Sequence, residues 1–346
     1  MATVETSRVA AVRHYGLTLR AWRILGVAAI LVLACVLPFV LSSYHLFQAT
    51  QVLVYAIALL GLNMLTGYNG QISLGHGAFY AIGAYTAAIL LDKTGVPYWA
   101  TVPIAGFVCL VVGFLFGLPA LRLEGLYLAL ATLALATAAP QILKFKDFEQ
   151  WTGGVQGIVI IKPDAPAGLP LDGDQWLYFF CLIWTTLLFL IAWNLLRGRT
   201  GRALVAIRDH PLSAASMGID TALYKSTTFG VSAMYTGIAG ALGALVAQFV
   251  APDSFQGLLS IQFLIGSVVG GVASIGGALP GAIFVQYVPN IAESISRFAP
   301  QAIPPPQVIY GVVLIACMYL VPMGAAGIVR SAAARLARMM GERPPH

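Results

Sequence analysis

"GYNGQISLGHGAFYAIGAY" runs from Gly67 to Tyr85 and holds five glycines, one histidine, two side-chain amides and a serine. It separates two long apolar stretches. Glycine costs about 1 kcal/mol in a helix interior relative to alanine, so a cluster marks backbone that bends or approaches something closely. Asn69, Gln71, Ser73 and His76 would each need a polar partner away from water. Two readings follow. The stretch is a tight turn at a surface, or it is a broken element inside a bilayer.

Composition decides what the solvent is. Of 346 residues, 59% are hydrophobic and only 9% charged, and the mean hydropathy is +0.85. A soluble domain carries about 25% charged residues. In water this chain would expose large apolar patches, so lipid is the solvent that fits. The net charge of +6 comes from 19 basic residues spread thinly along the chain, which argues against a nucleic-acid partner. Cys35, Cys109, Cys181 and Cys317 each lie alone in an apolar run, with no ligand-like pairing, and read as small buried hydrophobes rather than metal ligands or disulfides.

Ten apolar runs approach the length that spans a bilayer: 24–41, 49–66, 75–91, 98–118, 125–143, 176–196, 226–250, 259–274, 276–290 and 307–322. The first follows a basic segment and lacks a small-residue cleavage site, so it reads as a retained span. With the N-terminus in the cytoplasm and spans alternating, 14 basic residues fall inside and 5 outside, which accounts for all 19. That bias is what the positive-inside rule requires. The expectation is an all-α polytopic transmembrane bundle of about ten spans, with both termini cytoplasmic. It divides into a basic segment 1–23, a membrane domain 24–329 and a tail 330–346. An extracytoplasmic loop covers 144–175 and a basic cytoplasmic loop 197–225.

Catalytic signatures are missing. There is no P-loop, no nucleophile elbow, no HExxH and no paired-carboxylate arrangement. The spans hold almost no ionisable residues, unlike ion-coupled transporters and pumps. A membrane-embedded enzyme is the weakest class. "GQISLG" (Gly70–Gly75) and "GVASIG" (Gly271–Gly276) share G-x-x-S-[LI]-G, and two glycine-interrupted segments in corresponding positions point to a translocation path. GxxxG spacings at Gly113/Gly117, Gly266/Gly270 and Gly277/Gly281 compete with chance among 36 glycines.

At this point the residues carry a resemblance. "NMLTGYNGQISLGHGAFYAIGAYTAAIL" (Asn63–Leu90) resembles the signature of membrane subunits of branched-chain amino acid ABC importers, the LivM/LivH type. "LRLEGLYLALATLALA" (Leu121–Ala136), "TGGVQGI" (Thr152–Ile158), "GRALVAIRDHPLSAASMGIDTALYKSTTFGVSAMYTGIAGAL" (Gly201–Leu242) and "GGVASIGGALPGA" (Gly270–Ala282) are similar to further family segments, in family order. The long loop after the fifth run resembles the LivM-like partner. Glu124 and "APQIL" (Ala139–Leu143) depart from the family pattern, which bears on the solute. Permeases for urea and short amides share the opening motif. Thr132-Leu133 in place of their Thr-Gln favours amino acids, and small carboxylates stay open.

The resemblance implies a permease subunit in a multi-pass bacterial inner-membrane complex, paired with a second homologous permease, two ATP-binding cassette ATPases and an extracytoplasmic solute-binding protein. It implies no catalytic residue, metal or cofactor in this chain, since ATP and Mg would sit on the ATPases. Asn69, Gln71, Ser73, Gly75, His76 and Gly77, with Ser274 and Gly276 from the second glycine motif, are the candidates for the path or its gate. Arg208, Asp209, Ala214, Ala215 and Gly218 are the candidates for ATPase coupling, in the 197–225 loop whose "HPLSAASMGID" (His210–Asp220) reads as a short helix ended by Gly218. An autonomous channel or secondary transporter is the rival class.

Overall fold

The structure, a computed structural model, describes residues 26, 28–123, 125–166, 170–298, 306–320 and 324–327. The segments 1–23 and 330–346, and the departure at Glu124, lie outside the described residues.

Every one of the ten apolar runs falls on a helix. In order these are α1 (Ala28–Val40), α2 (Ser43–Asn63), α3 (His76–Ile89), α4 (Tyr98–Ala120), α5 (Leu126–Leu143), then after a one-turn α6 (Glu149–Thr152), α7 (Gly173–Arg197). Two short helices follow, α8 (Arg199–Asp209) and α9 (Pro211–Ser216), then α10 (Thr221–Ala247), α11 (Gly257–Gly270), α12 (Ala278–Phe298) and α13 (Pro306–Leu320). Five helices are long and apolar enough to cross a membrane by length and composition: α2 with its π-helical last turn, α4, α5, α7 and α10. The α11–α12 region, bent by 120°, brings the number to six if it is one broken span. The remaining apolar helices, α1, α3 and α13, are shorter. The only strands among the described residues are β1 (Ile158–Val159) and β2 (Phe249–Val250), paired antiparallel as Ile158 with Val250 and Val159 with Phe249.

Burial separates axis from periphery. The apolar windows of α2 and α10 are 78% and 89% buried, against 33–39% for α4, α5 and α7. In lipid, apolar side chains gain little by facing one another, so close backbone approach decides what packs in the middle. α10 supplies it with "TGIAGALGALVA". A Cβ at Gly240 would collide with the Tyr80 carbonyl, and one at Gly237 would sit 2.5 Å from Cys109 Cβ. The GxxxG spacings are packing contacts too. Gly113 and Gly117 of α4 face Ala233, Gly230 and Phe229 of α10, while Gly266 and Gly270 meet Gly281 and Gly277 across the α11–α12 bend.

Cys109 and Cys181 are buried as the sequence suggests, but Cys35 is exposed and Cys317 half-buried; none of the four is paired. α1 is an outer helix, and a cysteine there needs no burial because lipid is apolar. The T-G-G-x-x-G motif is a backbone requirement. Gly153, Gly154 and Gly157 take φ of +70, +56 and +75°, and Gly157 packs on the Val250–Ala251 backbone where β1 meets β2. Lys144 Nζ to Asp253 Oδ1 at 2.6 Å ties the same loop to the segment after β2.

Candidate functional site

α2 does not end as an α-helix. Met64–Tyr68 form a π-helical turn, and the chain then runs without regular structure from Gly70, at φ +74°, until α3 begins at His76. π-turns recur at functional sites because they free backbone groups from the regular ladder. Freed groups buried in a membrane protein must be met by protein. Here they are met by hydroxyls, two from other helices and one from the break itself. Leu74 N donates to Thr132 Oγ1 of α5 at 2.9 Å, Gly77 N to Ser260 Oγ of α11 at 2.8 Å, and Gly75 N to Ser73 Oγ at 3.3 Å. Gln71 N returns to the Leu65 carbonyl at 3.2 Å.

The break is deep. Ser232 lies eleven residues past the start of α10, about 16 Å along a helix rising 1.5 Å per residue. Its Oγ sits 2.7 Å from His76 Nε2 and 2.6 Å from the Gly61 carbonyl of α2. α3 therefore starts inside the helix bundle, with His76 only 1% exposed. The surface-turn reading is set aside by this geometry, with Asn69, Ser73 and His76 buried among helices.

Hydrogen-bond direction fixes the histidine. The Ser232 hydroxyl is committed as donor to the Gly61 carbonyl, so it accepts from His76 Nε2–H. Nδ1 then accepts from the Ser73 hydroxyl at 3.1 Å. His76 is a neutral strut joining α2, α3 and α10. Asn69 Nδ2 donates to Gln71 Oε1 at 3.1 Å, while Asn69 Oδ1 is buried with no partner, one of five such side-chain atoms among the described residues.

The second glycine motif meets the end of α2, just before the first. Asn63, in the last turn of α2, accepts from Ala273 N through Oδ1 at 2.8 Å and donates through Nδ2 to the Ser274 carbonyl at 2.8 Å. Ala273 takes φ +58°, a conformation rare outside glycine, which persists only when its surroundings over-determine it. A Cβ at Gly67 would collide with Asn63 Oδ1 and the Ala273 nitrogen. Ser274 thus joins the site through its backbone, while Gly276 has open space around it.

Of the coupling candidates, Arg208, Asp209, Ala215 and Gly218 are exposed and Ala214 is buried. Gly218, at φ +84°, stops α9 with a Schellman pairing: Ile219 N to Ala214 O at 3.1 Å and Gly218 N to Ala215 O at 3.0 Å. Beside it Leu212 and Met217 are 87% and 85% exposed, an apolar pair on a polar face. Arg208 stays exposed but reaches the break: Nη1 donates to the Gly67 carbonyl at 2.8 Å, and Nε to Asp209 Oδ1 at 2.8 Å. That second bond holds the Asp209 carboxyl below its usual value.

Sequence reading missed Asn63, Thr132, Ser232 and Ser260. For Asn63 a signal existed, a lone amide inside "ALLGLNML" that needs a partner in lipid. A cavity of about 150 Å³, lined by Met64, Leu195, Leu204 and Val231 with three threonines, opens beside the π-turn.

Residues 44–322 match a family described as branched-chain amino acid transport system / permease component. The chain is 37% identical over 273 residues to the high-affinity branched-chain amino acid transport system permease protein LivM of Escherichia coli (strain K12), covering 72% of this chain and 64% of that one. It is 36% identical over 269 residues to the LivM protein of Salmonella typhimurium, covering 71% and 63%. It is 26% identical over 284 residues to the probable LivH permease of Methanocaldococcus jannaschii, covering 78% and 87%. The chain thus spans under two thirds of the length of the two LivM proteins. No solved structure is a significant match.

Proposed function

The chain belongs to the branched-chain amino acid transport system permease family, and on that premise we propose that it forms one membrane half of an ATP-driven importer of branched-chain or related hydrophobic amino acids. A second permease of the same family forms the other half. Two ATPase subunits bind ATP and Mg and hydrolyse the nucleotide, and an extracytoplasmic protein delivers the solute. The identity is higher to the LivM proteins than to the LivH one, which supports the LivM-type role. The assembly sits in the bacterial inner membrane. Ten embedded segments, some crossing in pieces, place both termini, α8 and α9 in the cytoplasm and the 144–175 loop outside.

The observation that carries this reading is the buried break between α2 and α3. Its backbone is satisfied by side chains from other helices, it bears uncharged polar groups, and it touches the second break. A permease fed by a binding protein needs a weak path, because tight binding would slow release. Asn69, Gln71, Ser73 and His76 offer neutral polar groups, and the Asn69 carbonyl oxygen is free to accept from a solute amine. Gly75 and Gly77 leave no room for a side chain: a Cβ would sit 3.0 Å from Thr132 or 2.6 Å from Ser260 Oγ. Ser274 and Gly276 line the same gate from the other motif. Asp209, Ala214, Ala215 and Gly218 frame the surface on which an ATPase docks, with Leu212 and Met217 as its apolar contacts.

Co-purification with the ATPase subunits tests this. The chain and a partner permease should hold the ATPases through detergent extraction, and Gly218→Trp should release them. A chain that transports on its own, with no ATPase bound, would make it a channel or secondary transporter.

A further inference from the structure

The Gly67 carbonyl lies near the end of the π-turn, where the helical ladder of α2 breaks off. Its donor comes from α8, 141 residues away, as the Arg208 guanidinium. The grip has further points. The Arg208 stem lies on Gly70, whose Cβ would sit 2.8 Å from Arg208 Cγ, and Gly70 has φ +74°. Asp209 holds the guanidinium from behind. On the opposite side of the same turn, Asn63 holds the second break through Ala273 and Ser274, and Gly67 packs against Ala273. The strained φ of Ala273 sits where these contacts meet.

We propose that Arg208 is the transmission residue of the permease: it ties α8 to the π-turn of α2, and Asn63 ties that turn to the second break, so that a pull on α8 moves both glycine breaks as one body. This rests on the importer reading above and assigns Arg208 a positioning role within the membrane chain rather than a contact with the ATPase. A charge-assisted hydrogen bond to a buried carbonyl is strong enough to carry such a pull, and a bistable packed element converts it into an open or closed path.

Two measurements on the assembled importer test it. In proteoliposomes, Arg208→Ala and Asn63→Ala should each lower solute uptake per ATP hydrolysed by about tenfold, the factor that one lost charge-assisted or buried hydrogen bond carries. The double variant should be no worse than either single one, because a single chain of contacts is cut in both. Arg208→Lys should restore part of the ratio. Arg202→Ala, whose guanidinium reaches the exposed Arg197 carbonyl, should match the wild type. Single effects that multiply in the double variant would overturn the proposal. The second measurement is hydrogen exchange, which does not depend on transport. Arg208→Ala should speed exchange of the Ala273 amide by about tenfold while leaving α7 and α10 protected. Unchanged exchange at Ala273 would overturn the proposal whatever drives transport. Failure of the importer reading would appear instead in the wild-type complex, as uptake without ATP.

Discussion

Gly67→Ala adds one methyl group, and its sign separates this structure from a generic helix. At an open helical glycine the change stabilises by up to about 1 kcal/mol, through propensity and a stiffer unfolded chain. At Gly67 the methyl would overlap Asn63 Oδ1 and the Ala273 nitrogen, and lie 2.9 Å from Ala273 Cα. Backbone cannot rotate aside as a flexible side chain can. Overpacking of this kind costs about 1–3 kcal/mol. Displacing Asn63 also leaves the Ala273 N–H buried and unpaired, which costs about 1–3 kcal/mol more. Set against the propensity gain, the net destabilisation is about 1–5 kcal/mol. Equilibrium unfolding of the purified chain in mixed micelles reads it, with Gly311→Ala on α13 as the reference, since a Cβ there meets nothing within 4 Å. Gly311→Ala should be neutral or stabilising. If Gly67→Ala were as stable as the reference, the two breaks would not be in contact and the reasoning would fail.

Gly75→Leu should reduce uptake below detection while the complex still assembles, because Thr132 leaves no space for the side chain. Ser232→Ala should cost about 1–3 kcal/mol of stability by orphaning the His76 Nε2–H. His76→Gln, which can remake one of the two bonds, should cost less. In a cysteine-free background, single cysteines at Val155 and at Ser213 should be labelled from opposite faces; labelling from one face would overturn the proposed orientation. The lowered Asp209 pKa means that its pairing with Arg208 contributes above the unfolded carboxylate value and fades only as pH falls through the lower folded value. Uptake above about pH 5 should therefore show no titration from this pair, and Asp209→Asn should lower uptake by the same factor throughout that range.

Much of the fold could be read from sequence because lipid imposes simple rules. An apolar run must be a helix, and each of the ten runs carries one among the described residues. Gly218 announced the end of α9 because a left-handed position there suits glycine. The depth of α3 could not be read. "GQISLGHG" fits a surface turn as well as a buried break until the hydroxyls that satisfy it are known. Those hydroxyls come from 58 and 183 residues away, on Thr132 and Ser260, and a serine in an apolar run does not declare its partner. Arg208 posed the same difficulty. It stands in a run with Arg197, Arg199 and Arg202, and only the fold brings its guanidinium to Gly67. The pairing of "GQISLG" with "GVASIG" was visible as an echo. That the second motif docks on the end of α2 rested on Asn63, a residue in neither.

The central claim is that this chain carries solute only when ATPase subunits drive it. The most direct measurement is uptake of labelled leucine into proteoliposomes holding the chain, its partner permease, the ATPases and the binding protein. Leucine should accumulate only when ATP is supplied to the ATPase side, and accumulation should stop when the ATPases are left out. Leucine entry at the same rate without ATP would contradict it.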